Sequence, residues 1–258
     1  MTRAVEQAPT FFQGLSDAGA SVVLFPCIEF VPPVDFRQLD FALERLAEFD
    51  WLAFTSQNAV RFFRSRQRDL NSARSISAAR GPKVAALGAA TAEVAVREGL
   101  APDFVAAEAR SGPEFVAAFA PLARGKKVLL PQSDQAGDRI GAALAESGAQ
   151  VTSVVAYRTC MPESPDGAVL SSIRRGGADM IFFGSPSAFR NFVQIVGRAA
   201  AKELAGNSAI GAIGPTTAGA IREAGFTVDF ESSRPVTDEV ISGMAEYFAE
   251  KGRMKAHR

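Results

Sequence analysis

The stretch Asp50-Trp-Leu-Ala-Phe-Thr-Ser-Gln-Asn-Ala-Val-Arg61 gives the clearest structural signal in the chain, because it occurs twice. Its second copy, offset by 129 residues, is Asp179-Met-Ile-Phe-Phe-Gly-Ser-Pro-Ser-Ala-Phe-Arg190. In both copies a short apolar run ends in small residues and passes directly into a helical pattern. A fully buried strand followed at once by a helix is typical of α/β proteins with parallel sheets.

Two other blocks repeat in the same order along the chain. Leu15-Ser-Asp-Ala-Gly-Ala-Ser-Val22 reappears as Leu144-Ala-Glu-Ser-Gly-Ala-Gln-Val151, and Val84-Ala-Ala-Leu-Gly-Ala-Ala-Thr-Ala92 reappears as Ile210-Gly-Ala-Ile-Gly-Pro-Thr-Thr-Ala218. Three ordered blocks indicate an internal duplication. Alternating strands and helices in each copy predict an α/β fold with two similar lobes, each a small doubly wound parallel sheet.

Hydrophobic periodicity sets the expected elements of each copy. Apolar runs predict buried strands at 51–55, 84–87, 125–131, 180–183 and 210–213, and amphipathic patterns predict helices at 36–49, 114–123, 138–147 and 237–249. The first copy lacks the strand that matches 125–131, since Met1 aligns with Leu130 and Thr2 with Pro131. We expect either that translation starts upstream of Met1 or that the chain is a truncated, weakened form, and we favour the first.

Two proline-ended segments predict how the lobes are joined. Phe25-Pro-Cys-Ile-Glu-Phe-Val-Pro-Pro33 and Val154-Val-Ala-Tyr-Arg-Thr-Cys-Met-Pro162 occupy equivalent positions in the repeat. One segment leaves a lobe and the other returns to it, so a two-stranded connector is expected at 28–32 and 156–161. Residues 33–155 then form an inserted second lobe, and residues 1–27 with 162–258 form a discontinuous first lobe.

The composition favours a globular protein and argues against several classes. Hydrophobic residues make up 47% of the chain, and 28 basic residues balance 28 acidic ones, whereas nucleic-acid-binding proteins usually carry a basic excess. The sequence contains no run of about 18 apolar residues that would predict a membrane-spanning helix. The segment after Met1 lacks the apolar core of a signal peptide, so we expect a cytoplasmic protein without a nucleic-acid or membrane partner.

The few metal-binding and nucleophilic residues limit the chemistry. His257 is the single histidine, and Cys27 and Cys160 are the two cysteines. This composition disfavours histidine-based catalysis, zinc sites and a disulfide framework. The sequence also lacks the glycine-rich motifs of dinucleotide-binding and P-loop proteins. We therefore expect no metal and no cofactor, and chemistry that relies on hydroxyls, carboxylates, Lys, Arg or backbone dipoles.

Small polar residues follow five of the expected strands, at 55–58, 88–91, 133–135, 184–187 and 214–217. The carboxyl ends of parallel strands and the helix N-termini that follow them bind ligands, anions above all. Each turn taken alone is equally consistent with an ordinary helix cap. Together the five turns predict one polar cleft for a ligand with many carboxylates.

Several longer side chains are candidates for this cleft. Five arginines lie in or near the turns, and each is either a bidentate carboxylate ligand or a solvated surface charge: Arg3, Arg61, Arg139, Arg158 and Arg190. The basic run 61–68 predicts the outer face of a helix, with a nucleic-acid site as the alternative. Tyr157, one of two tyrosines, lies in the returning connector, where its phenol either donates a proton to a leaving group or only covers the connector.

Four motifs and their order resemble one known family. Ala156-Tyr-Arg-Thr159, Thr55-Ser-Gln-Asn-Ala-Val60, Gly184-Ser-Pro-Ser-Ala188 and Ile213-Gly-Pro-Thr-Thr-Ala218 look like motifs of the uroporphyrinogen-III synthase family, as does Leu-x-x-x-Gly-Ala-x-Val before each connector. The similarity covers nearly the whole chain. Each motif is short, and the ordered set is much more specific than any one of them.

The resemblance implies a two-lobed enzyme with its active site between the lobes. The family cyclises hydroxymethylbilane, a linear tetrapyrrole octacarboxylate, to uroporphyrinogen III in haem-type pigment biosynthesis, with inversion of ring D and loss of water. It uses no metal or organic cofactor, and it suggests a monomer. A small-molecule substrate is thus expected, with the upstream bilane-forming enzyme as a candidate partner.

The resemblance also implies roles for individual residues. Tyr157 would assist departure of the substrate hydroxyl. Substrate carboxylates would be held by Ser56, Asn58, Thr91, Ser185, Ser187, Gly214, Pro215, Thr216 and Thr217. Phe183-Gly184 stands where the family commonly has a Thr-Ser pattern, so one hydroxyl of that turn is absent.

Two other functions are compatible with the sequence. One is a non-catalytic two-lobed module that binds small anions, which needs the turns but not the phenol. The other is an enzyme that acts on a phosphorylated metabolite, which predicts that phosphate protects the chain against thermal unfolding.

Overall fold

The chain forms two units in the computed structural model, which describes residues 1–2, 9–73, 81–109, 111–163, 166–175, 178–234 and 236–256. Unit 1 comprises Met1–Glu29 and Cys160–Arg258, and unit 2 comprises Phe30–Thr159. The lobe boundaries expected from the sequence, with connector strands at 28–32 and 156–161, stay a prediction of how the units are joined. Arg3 lies outside the described residues.

The described residues contain helices and strands in alternation. The helices are α1 (Pro9–Asp17), α2 (Arg37–Glu44), α3 (Gln57–Ala73), α4 (Ala89–Arg97), α5 (Gly112–Ala123), α6 (Arg139–Glu146), α7 (Gly167–Arg174), α8 (Pro186–Val196), α9 (Arg198–Asn207), α10 (Pro215–Glu223) and α11 (Thr237–Ala256). The strands are β1 (Glu29–Val31), β2 (Trp51–Phe54), β3 (Lys83–Leu87), β4 (Phe104–Ala106), β5 (Lys127–Ser133), β6 (Gln150–Cys160), β7 (Met180–Phe183), β8 (Ala209–Ala212) and β9 (Phe230–Glu231).

One predicted helix is wrong in its second half. The pattern at 36–49 predicted a single helix, whereas α2 ends at Glu44 and a 3₁₀ turn follows over Leu46–Glu48. Arg45 between them leaves the helical conformation, with φ −108° and ψ 22°. Its guanidinium binds both carboxylate oxygens of Glu48 at 2.8 Å, which favours the tighter turn.

A six-stranded sheet in the order β1-β6-β5-β2-β3-β4 forms the centre of unit 2. The pairs from β6 through β4 are parallel. Alternate strand residues face opposite layers: Leu52 and Phe54 pack in the core that contains α3 and α4, whereas Trp51 and Ala53 pack in the core that contains α5 and α6. Apolar residues on both faces explain why these strands read as continuous hydrophobic runs.

Unit 1 has the same layered construction around the parallel sheet β7-β8-β9. Ile181 and Phe183 pack in the core that contains α8, α9 and α10. Phe182, between them in sequence, faces the opposite layer, where it contacts Phe11 of α1 and shares a core with Met244 of α11. Helices on both faces of a parallel sheet confirm the predicted α/β class.

Residues 1 and 2 lie beside β7, at the position that β5 occupies beside β2 in unit 2. The Thr2 amide donates to the Phe182 carbonyl at 3.3 Å, and the Thr2 hydroxyl donates to the same oxygen at 2.9 Å. On the other side, the Cys27 amide donates to the Thr2 carbonyl at 3.3 Å and the Phe25 amide to the Met1 carbonyl at 2.9 Å. These bonds agree with the repeat alignment, in which Met1 and Thr2 match residues of β5.

The duplication extends to individual hydrogen bonds at strand ends. Asp103 exchanges two bonds with Val84: its amide donates to the Val84 carbonyl at 2.8 Å, and its carboxylate accepts from the Val84 amide at 2.7 Å. Asp229 and Ile210, 126 residues later, form the same pair at 2.9 and 2.8 Å. In both units a carboxylate satisfies a strand amide just before the neighbouring strand begins.

We expect Asp103→Ala to lower the free energy of unfolding of unit 2 by about 1 kcal/mol, the size of one net hydrogen bond. Asp103→Asn keeps a side-chain oxygen that accepts from Val84, so its loss should be clearly smaller. Urea denaturation followed by circular dichroism measures both. Equal destabilisation by the two variants would contradict this role for the carboxylate.

Candidate active site

Ser56 stands at the carboxyl end of β2, where α3 begins. Its hydroxyl oxygen accepts a hydrogen bond from the Ala59 amide at 3.1 Å, which is the contact of a helix N-cap. The same oxygen lies 3.2 Å from the phenol oxygen of Tyr157, and either hydroxyl is able to donate in that pair. One serine therefore caps the helix and binds the phenol.

A β-bulge in β6 determines the direction of the Tyr157 side chain. Gln132 of β5 is opposite Val155, but the next residue, Ser133, is opposite Tyr157, so Ala156 is an extra residue in the ladder. Ala156 and Tyr157 consequently both pack into the core that contains Phe54 and Phe63 of unit 2, although neighbours in a regular strand face opposite sides. Bulges of this kind re-aim side chains next to active sites.

Two phenylalanines hold the ring of Tyr157, which is only 7% exposed. The Phe62 ring stacks on it with centroids 5.5 Å apart and an interplanar angle of 18°. The Phe30 ring meets it edge-on at 5.8 Å and 80°. With both positions filled, the ring orientation is fixed and the hydroxyl points to Ser56.

The surroundings keep the phenol protonated. Burial raises the pKa of Tyr157 above its ordinary value, and the negative charge of Asp134 acts in the same direction. Hydrogen bonds with the hydroxyls of Ser56 and Ser133 oppose this rise only in part. At neutral pH the site thus presents a neutral proton donor.

A second polar group next to Tyr157 contains residues for which the sequence predicted no individual role. The Ser133 hydroxyl donates to Asp134 Oδ1 at 3.0 Å and lies 3.1 Å from the Thr159 hydroxyl. The Thr159 amide donates to the same Asp134 oxygen at 3.0 Å. The sequence placed residues 133–135 in a polar turn, and the Tyr-x-Thr spacing was the available signal that Thr159 belongs with Tyr157.

Unit 1 repeats the serine cap without the phenol. Ser185, offset by 129 residues from Ser56, accepts from the Ala188 amide at 3.1 Å, and its oxygen lies 3.1 Å from the Ser187 hydroxyl. The residue that matches Tyr157 in the repeat is Ile28, which is buried. Tyr157 is thus specific to one copy, whereas the capped turn is common to both.

Glycines begin the two other matched helices, α4 and α10. Gly88 and Gly214 occupy the N-cap positions, and neither helix has a side-chain cap. Thr91 and Thr217, three residues further on, are both buried, at 5% and 2% exposure. The first two residues of α10 are exposed. The Thr216 amide lies in the first turn, where helix amides have no intrahelical partner, and Pro215 has no amide proton to offer.

Asn58 and the basic helix α3 are tied into unit 2. The Asn58 side-chain oxygen accepts from Arg61 at 3.1 Å, and Asn58 is buried. The Arg66 guanidinium binds the Asp40 carboxylate through two bonds of 2.6 and 2.7 Å and lies over the Phe36 ring. Arg61 and Arg66 of the basic run 61–68 thus contact other residues of unit 2, which favours the predicted helix face over a nucleic-acid site.

The other candidate arginines are placed as follows. Arg158 donates to the Pro32 carbonyl at 3.3 Å, and Arg139 and Arg190 are exposed.

In the part of the chain that the structure describes, no helix is long and apolar enough to cross a bilayer. Within the same residues, His, Cys, Asp and Glu form no group of three that would hold a metal ion.

The two units are α/β domains in which helices begin with a serine or a glycine at the carboxyl ends of buried strands. This is the construction of α/β proteins that bind ligands at strand ends, and here one unit also contains a buried phenol. A family model for uroporphyrinogen-III synthase HemD matches residues 10–242. The chain belongs to the uroporphyrinogen-III synthase family. The match confirms the family resemblance and the enzyme class that the motifs predicted.

Individual relatives agree with this assignment. A uroporphyrinogen-III synthase of Synechococcus elongatus is 30% identical over 257 residues, which cover 95% of this chain and 93% of the relative. One from Chlorobaculum parvum is 29% identical, with 89% and 90% covered.

Solved structures show the fold. The uroporphyrinogen-III synthetase of Helicobacter pylori has a TM-score of 0.60 at 17% identity, covering 88% of this chain and 93% of its own. A mutant uroporphyrinogen III synthase of Thermus thermophilus has a TM-score of 0.55 at 19% identity, covering 97% and 100%.

The raised pKa of Tyr157 predicts a stability change at alkaline pH. The folded phenol holds its proton more tightly than the unfolded one, so its contribution is fully present below the unfolded pKa of about 10 and is lost as pH rises through the folded value. We expect the free energy of unfolding to fall more steeply above about pH 10 in the unmodified chain than in Tyr157→Phe. Urea titrations across this range measure the two slopes, and equal slopes would rule out a perturbed phenol.

Proposed function

We propose that this chain converts hydroxymethylbilane to uroporphyrinogen III, with inversion of ring D and loss of water, in tetrapyrrole biosynthesis. The observation that carries the proposal is the neutral phenol of Tyr157, held against the Ser56 cap in a chain of the uroporphyrinogen-III synthase family. A module that only binds anions would need the polar turns but would have no use for a buried proton donor.

Tyr157 supplies the proton for the first step. With Ser56 donating to the phenol oxygen, the proton of the phenol is available to the terminal hydroxyl of the bilane. As that proton is transferred, the carbon–oxygen bond breaks and water leaves. Electrons from the pyrrole nitrogen form the exocyclic double bond, and loss of the N–H proton gives the azafulvene and returns a proton to the tyrosinate.

Ring closure then needs geometry more than acid or base. The substituted position of ring D attacks the azafulvene carbon, giving a spiro intermediate that fragments and recloses with ring D inverted. The bilane closes spontaneously to the unrotated isomer, so the protein must hold the chain in the conformation that leads to the spiro intermediate. Positioning and preorganised donors supply this kind of catalysis without a cofactor.

We propose that hydroxyls and amides at helix N-termini hold the carboxylates of the substrate. The residues are Ser56, Asn58, Thr91, Ser185, Ser187, Gly214, Pro215, Thr216 and Thr217. Support comes from their positions at helix N-termini, where amides and the helix dipole favour anions. The exposed start of α10 is suited to this role.

The chemistry of the substrate sets the cellular context that we propose. Because free hydroxymethylbilane closes spontaneously to the wrong isomer, the enzyme must receive it promptly from the upstream bilane-forming enzyme. We place both in the cytoplasm, and we propose that the bilane-forming enzyme is the candidate partner.

The deciding experiment supplies the chain with freshly generated hydroxymethylbilane, oxidises the products and separates the porphyrin isomers by chromatography. The proposed function predicts type III product in excess of the spontaneous type I product. A folded chain that leaves only type I product would refute it.

Matched variants connect the product to the site. Tyr157→Phe should lower kcat for type III product by about a hundredfold, the lower range of general acid catalysis, with a much smaller effect on product binding. Tyr247→Phe is the control, because Tyr247 packs on Phe230 and Phe248 in unit 1 and should retain full activity. Equal losses in turnover and product binding for Tyr157→Phe would mean that the phenol only packs.

A further inference from the structure

Asp134 binds the end of β6 beyond the bulge at two points. The Asp134 amide donates to the Tyr157 carbonyl at 3.0 Å, and the Asp134 carboxylate accepts from the Thr159 amide at 3.0 Å. Its backbone thus binds β6 at the tyrosine, and its side chain binds β6 two residues later. Strand β5 has already ended at Ser133, so the carboxylate replaces the strand partner that the Thr159 amide would otherwise need.

Neighbouring side chains add two further contacts to the end of β6. The Ser133 hydroxyl donates to the same carboxylate oxygen at 3.0 Å and lies 3.1 Å from the Thr159 hydroxyl. The Gln135 side chain donates to the Thr159 carbonyl at 2.6 Å. The bonds around Asp134 Oδ1 involve a charged acceptor, which makes them stronger than neutral ones, although Asp134 itself is exposed.

These contacts at the end of β6 affect the direction in which the Tyr157 phenol points. A β-bulge leaves its extra residue without a ladder partner, so the strand after Ala156 is held less firmly by β5 than the strand before it. The position of the Tyr157 hydroxyl relative to Ser56 depends on how the backbone leaves the bulge. The same use of a carboxylate to satisfy a strand amide occurs at Asp103, just before β4 begins.

We infer that Asp134 is a positioning residue, whose carboxylate holds the bulged end of β6 so that the Tyr157 phenol faces Ser56 and the substrate hydroxyl. The inference rests on the proposed function and adds a residue to it. Asp134 does not touch the reacting atoms in this scheme. It acts through Tyr157, and its removal misdirects the phenol without removing the proton donor.

The test compares Asp134→Ala with Asp134→Asn in the isomer assay. The alanine variant should lower kcat for type III product by about tenfold, with KM nearly unchanged, because a small misplacement of a catalytic group costs this much or more. The asparagine variant keeps an oxygen that accepts from Thr159 and Ser133, so it should stay within about twofold of the unmodified chain. Asp138→Ala is the control: Asp138 lies in the same segment but pairs with Ser153, and its loss should leave kcat unchanged.

A double-mutant cycle separates action through the phenol from a general structural effect. In the Tyr157→Phe background, Asp134→Ala should cost less than about twofold in kcat, since the group that it positions is gone. Amide hydrogen exchange at Thr159 should be faster in Asp134→Ala than in Asp134→Asn, a readout that needs no activity.

The possible results distinguish the role of Asp134 from the synthase function. A tenfold loss in both backgrounds, equal losses for the alanine and asparagine variants, or unchanged exchange at Thr159 would overturn the role of Asp134 while the synthase function stands. Formation of type I product alone by the unmodified chain would overturn the function and the positioning role together.

Discussion

Strand β6 contains one residue more than its partner β5 at the point where Ala156 precedes Tyr157. Side chains alternate along a strand, so in a regular β6, with Ala156 opposite Ser133, the phenol of Tyr157 would face the opposite layer of unit 2. With it, the ring lies between Phe62 and Phe30 and its hydroxyl meets Ser56. Burial, the raised pKa of the phenol and its contact with the start of α3 all depend on this shift in register.

The duplication supplies the serine-capped turn of the Tyr157 site, because both units contain this turn. Both units present a serine that caps a helix at the end of a buried strand, a contact that stabilises each unit by about 1 kcal/mol whether or not a ligand is present. In unit 2 that serine also binds a phenol, whereas the matching position in unit 1 is the buried Ile28. The same turn thus caps a helix in both copies, and in unit 2 it also binds the proposed acid.

The sequence predicted most of the fold because buried parallel strands are continuous apolar runs. For β7, both the first and the last residue of the strand were predicted correctly. It missed the break after α2, since the pattern of apolar residues is unaffected when Arg45 leaves the helix. Among candidate site residues, the scarcity of tyrosine singled out Tyr157. Residues 133–135 were predicted as a turn of the polar cleft, but no individual role was predicted for Asp134 or Thr159. Strand β5 was expected to end at Pro131, which lacks an amide proton, whereas it continues to Ser133. No residue type marks Ala156 as a bulge.

In the proposed mechanism the Tyr157 phenol gives its proton to the substrate hydroxyl as water leaves. The most direct measurement is the solvent deuterium isotope effect on type III formation in a single turnover, followed by rapid quenching. We expect a normal isotope effect in the unmodified chain that is abolished in Tyr157→Phe, where the remaining reaction no longer uses this proton. The same isotope effect in both proteins would contradict the account.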